Sequence, residues 1–108
     1  MRVISRRTLR EYIDSKMGHR DHKSLTNSLN AWFAEVQRAE WKNSDDIKRN
    51  YTWASIISAD RVVFDILGNR YRLIAAVDFE KGIVWIKWIG THDEYDRIDV
   101  KKVQYGRH

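Results

Sequence analysis

The stretch DRVVFDILGNRYRLIAAVDFEKGIVWIKWI, running from Asp60 to Ile89, decides the fold. Val62, Phe64 and Ile66 alternate with Arg61, Val63 and Asp65, and a period of two belongs to a strand. Gly68-Asn69 follows, a dipeptide that favours a two-residue hairpin. Beyond it Tyr71, Leu73, Ala75, Val77 and Phe79 alternate with Arg70, Arg72, Ile74, Ala76 and Asp78. Glu80-Lys81-Gly82 turns the chain again, and Ile83 to Ile89 supplies a third strand. Three strands joined by tight turns predict an antiparallel β-meander.

Register follows from the turns. Pairing Leu67 with Arg70 sets Asp65 beside Arg72 and Val63 beside Ile74. Pairing Phe79 with Gly82 sets Arg72 beside Ile89, Ile74 beside Lys87 and Ala76 beside Trp85. Side chains alternate between the two faces of a sheet. One face then collects Val62, Phe64, Ile66, Tyr71, Leu73, Ala75, Val77, Val84, Ile86 and Trp88. The other collects Arg61, Asp65, Arg72, Trp85 and Lys87. Two readings of this second face stand side by side. It is an ordinary solvated face with an Asp65–Arg72 cross-strand pair. Alternatively, it binds nucleic acid, its cations neutralising phosphates and its indole stacking on a base.

Upstream, the period changes to that of a helix. Leu9, Tyr12, Ile13 and Met17 form one stripe of a helix over about Ser5 to Met17, with Gly18 as its stop. Leu25, Leu29, Trp32, Phe33 and Val36 form a stronger stripe over about Lys23 to Ala39. A short Gly-containing turn between them predicts a helical hairpin packed on the meander. Ser44 to Asn50 reads as a third, short helix, with Ser44 as its cap and Asp45 and Asp46 at its positive end. Two helices followed by a meander make an α+β domain.

Downstream lies GTHDEYDRI, Gly90 to Ile98. Thr91 and Glu94 match a capping box, so a helix begins here. His92, Tyr95 and Asp96 then share one helical face, an imidazole, a phenol and a carboxylate beside a basic sheet. The segment also admits plainer uses, with His92 as a cap or packing residue and Tyr95 and Ile98 sealing the core. His92 and Asp96 have the i, i+4 spacing of a ligand pair, but zinc sites of this kind need further ligands, and no metal is expected. His19, His22 and His108 have no partner motif and are expected on the surface.

Composition narrows the classes. The 108 residues carry 20 Lys plus Arg against 15 Asp plus Glu, a net charge of +5, which favours polyanionic partners. The absence of cysteine removes disulfides, thiol catalysis and Cys-based zinc sites. The longest run without charge, Ser24 to Ala34, is well short of the ~20 residues of a membrane span. MRVISRRTLR carries no apolar segment, which predicts a cytoplasmic chain without a signal peptide. No linker or repeat divides residues 1–108, so one domain is expected.

The strings EWKNSDDIKRNY, RVVFDILGNRYRLIAAV and GIVWIKWIGTHDEYDRID together resemble the HigB family of toxins from type II toxin–antitoxin modules, within the RelE-like superfamily of messenger-RNA interferases. The resemblance is close over about residues 40–99. It implies an endoribonuclease that cuts messenger RNA, generally on the translating ribosome, and a helix-turn-helix antitoxin as partner. It implies a RelE-like fold, an α+β sheet with helices on one side. By position, Lys48 matches the lysine of the family's DIK segment, Arg72 the arginine of GNxYRL, and His92, Tyr95 and Asp96 the THxEYD motif.

The chemistry so implied needs no metal or other cofactor. The RNA 2′-OH attacks the adjacent phosphate, so the protein must supply a base, an acid and cations for the developing charge. Imidazole is the side chain that ordinarily titrates nearest neutrality. Arginine can hold a phosphate through two donors. Arg61, Arg70, Trp85 and Lys87 are the residues expected to carry the RNA around that centre. A non-catalytic RNA- or ribosome-binding module, or a basic protein-interaction domain, would use the same face without the acid–base group.

Overall fold

A computed structural model describes residues 1–98. His108 lies outside the described residues. The order of elements is β1 (Arg2–Ile4), α1 (Arg6–Ser15), α2 (His22–Arg38), α3 (Ser44–Asn50), β2 (Ser55–Ile56), β3 (Arg61–Ile66), β4 (Tyr71–Asp78), β5 (Ile83–Thr91) and α4 (His92–Tyr95). The architecture is α+β. The meander is its centre, but the sheet is mixed. β1 adds to β5 in parallel and β2 adds to β3, giving the order β1-β5-β4-β3-β2. A purely antiparallel sheet is therefore corrected. Strands of three and two residues are too short to show a period in sequence.

The first hairpin keeps its expected register, with Asp65 opposite Arg72 and Val63 opposite Ile74. Its turn differs in detail: Leu67 (φ 55°) and Gly68 (φ 69°) take the left-handed conformation, not Gly68 and Asn69. The second hairpin starts as expected, with Ala76 opposite Trp85. Between Ile74 and Ala75 the register then slips. Lys87 is the extra residue, so Ile74 meets Trp88 and Arg72 meets Gly90 instead of Lys87 and Ile89. A bulge of one residue exchanges the faces of everything beyond it. Ile89 accordingly enters the core, and Trp88, expected there, moves to the opposite face beside Arg72 and Ile74.

α2 lies against β1 and β3, while α1's chief neighbour is β5 and α2 comes second. Leu25, Leu29, Trp32, Phe33 and Val36 of α2 bury against Val62, Phe64, Leu73, Ala75, Val84 and Ile86 of the sheet. Each such side chain contributes roughly 1.5–3 kcal/mol. Phe64 is the aromatic hub, with the rings of Tyr51, Trp32 and Trp41 at 5.2, 5.4 and 6.2 Å. Met17 falls beyond the end of α1 and is exposed, so it leaves the apolar stripe predicted for it.

One helix start also differs from expectation. Asn43, not Ser44, caps α3, its side chain accepting from the Asp46 N–H. Asp21 precedes α2 without capping it, because its carboxylate accepts from Arg70 (2.9 Å) and from the Tyr71 hydroxyl (3.1 Å). None of the described helices is long and apolar enough to cross a membrane.

Candidate functional site on the outer sheet face

The face of the sheet turned away from α2 has an apolar floor of Val63, Ile74 and Ala76, all buried. Longer side chains stand around that floor. In the row Asp65–Arg72–Gly90, Arg72 Nε lies 2.9 Å from Asp65 Oδ1, and the two side chains are 19% and 28% exposed. Arg72 Nε has no hydrogen-bond partner among the described residues, because its N–H is not aligned on that oxygen. The contact is thus one of charge. It holds the guanidinium in place.

Tyr95 supports the other side of the guanidinium. Arg72 Cζ stands 5.0 Å from the Tyr95 ring centroid, a cation–π contact that fixes the plane of the fork. The Trp88 ring follows, 6.3 Å from Tyr95. Gly90 makes this stack possible. A Cβ there would fall 2.5 Å from Trp88 Cη2, 2.6 Å from Cζ2 and 2.8 Å from Glu94 Oε1. A glycine across from Arg72 is therefore a packing requirement, imposed by the bulge that brings Trp88 to this face.

Tyr95 is delivered by α4, and the expected capping box builds that helix. Thr91 Oγ1 accepts from the Glu94 N–H at 3.1 Å, and Glu94 Oε1 accepts from the Thr91 N–H at 2.8 Å. The His92 N–H donates to the Arg70 carbonyl at 3.0 Å, tying the helix to the start of β4. His92 Nδ1 lies 3.2 Å from Asp96 Oδ2, with side chains 40% and 59% exposed. That pairing turns Nδ1 toward the carboxylate and Nε2 away from it. Of the three residues expected on one helical face, His92 and Asp96 pair with each other while Tyr95 turns onto the sheet.

His92 also borders a cleft of about 330 Å³ shared with Lys16, His19, Arg20, Arg70 and Tyr71. His19 is exposed and His22 half-buried. Burial, and then the Asp21 carboxylate that accepts its proton, raise the Tyr71 hydroxyl above its ordinary value of 10.0. Tyr12 nearby is raised as well, first by burial and then by the charge of Glu94. Both phenols thus stay protonated here. His92, Asp93 and Asp96 bring potential ligand atoms within 4.8 Å of one another, but Asp93 and Asp96 are exposed and no further ligand joins them among the described residues.

The remaining expected residues divide. Arg61 and Trp85 stand on the outer face, both across from Ala76 and both half-buried. Lys87 occupies the bulge. Burial, and secondly the charge of Arg61, lower its ammonium below its ordinary value. Arg70 is bound to Asp21 at the start of α2. The Lys48 ammonium donates to the carbonyls of Thr52 and Ala54, both at 2.7 Å. Trp88 and Gly90 are neighbours of Arg72 and Tyr95 that alternation alone does not find.

No curated protein matches the chain. A family profile does: HigB_toxin, described as the RelE-like toxic component of a toxin-antitoxin system, matches residues 25–98. That span holds Lys48, Asp65, Arg72, His92, Tyr95 and Asp96. On that match the chain belongs to the HigB toxin family, the RelE-like toxic components of toxin–antitoxin systems.

Proposed function

We propose that this toxin belongs to a type II module and is an endoribonuclease that cuts messenger RNA on translating ribosomes, restrained by a helix-turn-helix antitoxin. The observation that carries the reading is Arg72, held edge-on by Asp65 and face-on by Tyr95. A guanidinium oriented in advance suits a phosphate whose charge grows in the transition state.

The reaction is transesterification within the RNA. His92 Nε2 takes the proton of the 2′-OH as that oxygen attacks the phosphorus. Arg72 holds the non-bridging oxygens while negative charge builds on them. The Tyr95 hydroxyl gives its proton to the departing 5′-oxygen as the P–O5′ bond breaks. The products are a 2′,3′-cyclic phosphate and a 5′-hydroxyl. Asp96 keeps His92 in the reactive tautomer, and Arg61, Trp85 and Lys87 extend the basic face along the strand.

A reporter message in a translating extract tests the proposal. With the protein added, breaks should appear within the coding region, with cyclic phosphate on one side and 5′-hydroxyl on the other. Arg72→Ala should leave the message whole. If translation stops while every message stays intact, the protein is a non-catalytic ribosome binder.

A further inference from the structure

Trp53 is 82% exposed, whereas Trp32 and Trp41 are 2% and 4% exposed in the core. An indole left in water keeps a flat apolar surface open to another molecule. It borders a cavity of about 680 Å³ also lined by Asn50, Thr52, Phe64, Asp65 and Asn69. Two features place this cavity beside the proposed reaction centre. Asp65, on its wall, is the residue whose carboxylate holds Arg72. β2 covers β3 only opposite Val62 and Val63, so the backbone at Phe64 and Asp65 borders the cavity instead of a strand.

Lys48 explains how an exposed indole is kept there. Its ammonium holds the carbonyls of Thr52 and Ala54, the residues immediately before and after Trp53. The loop is thus clamped on both sides of the indole. Two of the three ammonium donors are spent in doing so.

We infer that Trp53 is the platform on which one nucleobase of the RNA substrate stacks, and that Lys48 is the positioning residue that holds it; this deepens the ribonuclease reading and rests on it. An aromatic plane suits a base, since stacking tolerates any base. The polar edge of the base then meets Asn50, Thr52 and the open backbone of β3. Seated there, the base anchors the strand next to the phosphate clamp, so its contribution falls on binding more than on turnover. The adjacency of the cavity to Arg72, through the Asp65 carboxylate that pairs with it, favours RNA over an antitoxin segment at this surface.

The test compares Trp53→Ala, Trp53→Phe and Lys48→Met with wild type. Cleavage is followed on ribosomes translating a reporter message. Binding is followed by anisotropy of a fluorescein-labelled 2′-O-methyl RNA oligonucleotide, which lacks the attacking hydroxyl. Trp53→Ala should lower kcat/KM by about 5- to 150-fold, mostly through KM, and weaken oligonucleotide binding in step. Trp53→Phe should recover most of the loss. Lys48→Met should repeat the KM effect, and the double variant should be little worse than Trp53→Ala, because both act through one indole.

Wild-type cleavage sites and rates in Trp53→Ala would overturn the inference. So would a Trp53→Ala variant that cuts normally but escapes a co-expressed antitoxin, which would assign the indole to protein recognition. If wild type binds the oligonucleotide through Trp53 but leaves messages whole, the ribonuclease reading fails and the platform stands. If wild type neither binds nor cuts RNA, both fall.

Discussion

The guanidinium of Arg72 stands 5.0 Å over the ring of Tyr95, and its Nε lies 2.9 Å from Asp65 on the neighbouring strand. The ring fixes the plane and the carboxylate fixes the edge. This makes the planar fork itself testable. Arg72→Lys keeps a charge beside Asp65 but loses both the plane and the paired donors. The variant should melt close to wild type and cleave a reporter message ~10²–10³-fold more slowly, the loss typical of one oriented oxyanion donor. A lysine variant as fast as wild type would reduce Arg72 to a point charge.

His92 and Asp96 predict an unequal pair of effects. His92→Gln keeps size and polarity but removes the proton-transferring group, and should slow cleavage by ~10²–10⁴-fold. Asp96→Asn leaves the imidazole in place. The 3.2 Å pair is largely solvated, so its loss should cost far less than the imidazole. Both variants should keep the wild-type melting temperature. Equal losses in single-turnover cleavage would make Asp96 a direct participant.

How much of this was legible in sequence follows the length of the signals. The three long strands and α2 carry enough alternating or helical positions to reveal themselves. The Asp65–Arg72 pair and the α4 capping box came with them. The two short strands carry too few residues for a period. The Lys87 bulge adds one residue to a strand without altering its composition, so alternation put Trp88 in the core and Ile89 outside it. Lys48 was expected among the catalytic cations, through the family resemblance alone. That it clamps the loop around Trp53 depends on where two carbonyls turn, which no side-chain pattern records. Asn43 and Ser44 are both acceptable caps, and geometry selects the first.

Alkaline stability should be set by buried phenols. Burial raises Tyr12 and Tyr51 well above the ordinary 10.0, and Tyr51 additionally donates its proton to Glu35. A group whose folded value is raised binds more protons in the folded state than in the unfolded one. Its stabilisation is complete below pH ~10 and is lost as pH rises beyond that point. Urea midpoints should therefore fall from pH 10 upward. Tyr51→Phe should flatten that fall while lowering the plateau near neutrality through the lost bond to Glu35. A midpoint unchanged between pH 9 and 11.5 would show that these phenols ionise freely.

The last prediction separates positioning from folding. Trp88 lies on the outer face against Tyr95, whereas Phe64 is 1% exposed at the centre of the core. Phe64→Ala should cost ~3–5 kcal/mol and lose activity only by unfolding. Trp88→Ala should destabilise the protein much less, because one side of its ring faces solvent. It should still slow cleavage, since Tyr95 loses the surface that holds it beneath Arg72. Gly90→Ala approaches the same contact from the backbone. Its methyl would meet Trp88 at 2.5 Å and Glu94 at 2.8 Å, so the indole must shift and the capping box of α4 must loosen. Gly90→Ala should thus reproduce the cleavage defect of Trp88→Ala. Combining it with Trp88→Ala, which removes the obstructing ring, should be less than additive. The measurements are a melt and single-turnover cleavage of the four variants side by side. If Trp88→Ala melts as low as Phe64→Ala, the indole is part of the core after all. If Gly90→Ala cleaves like wild type, the stack of Trp88, Tyr95 and Arg72 does not hold the reacting phosphate.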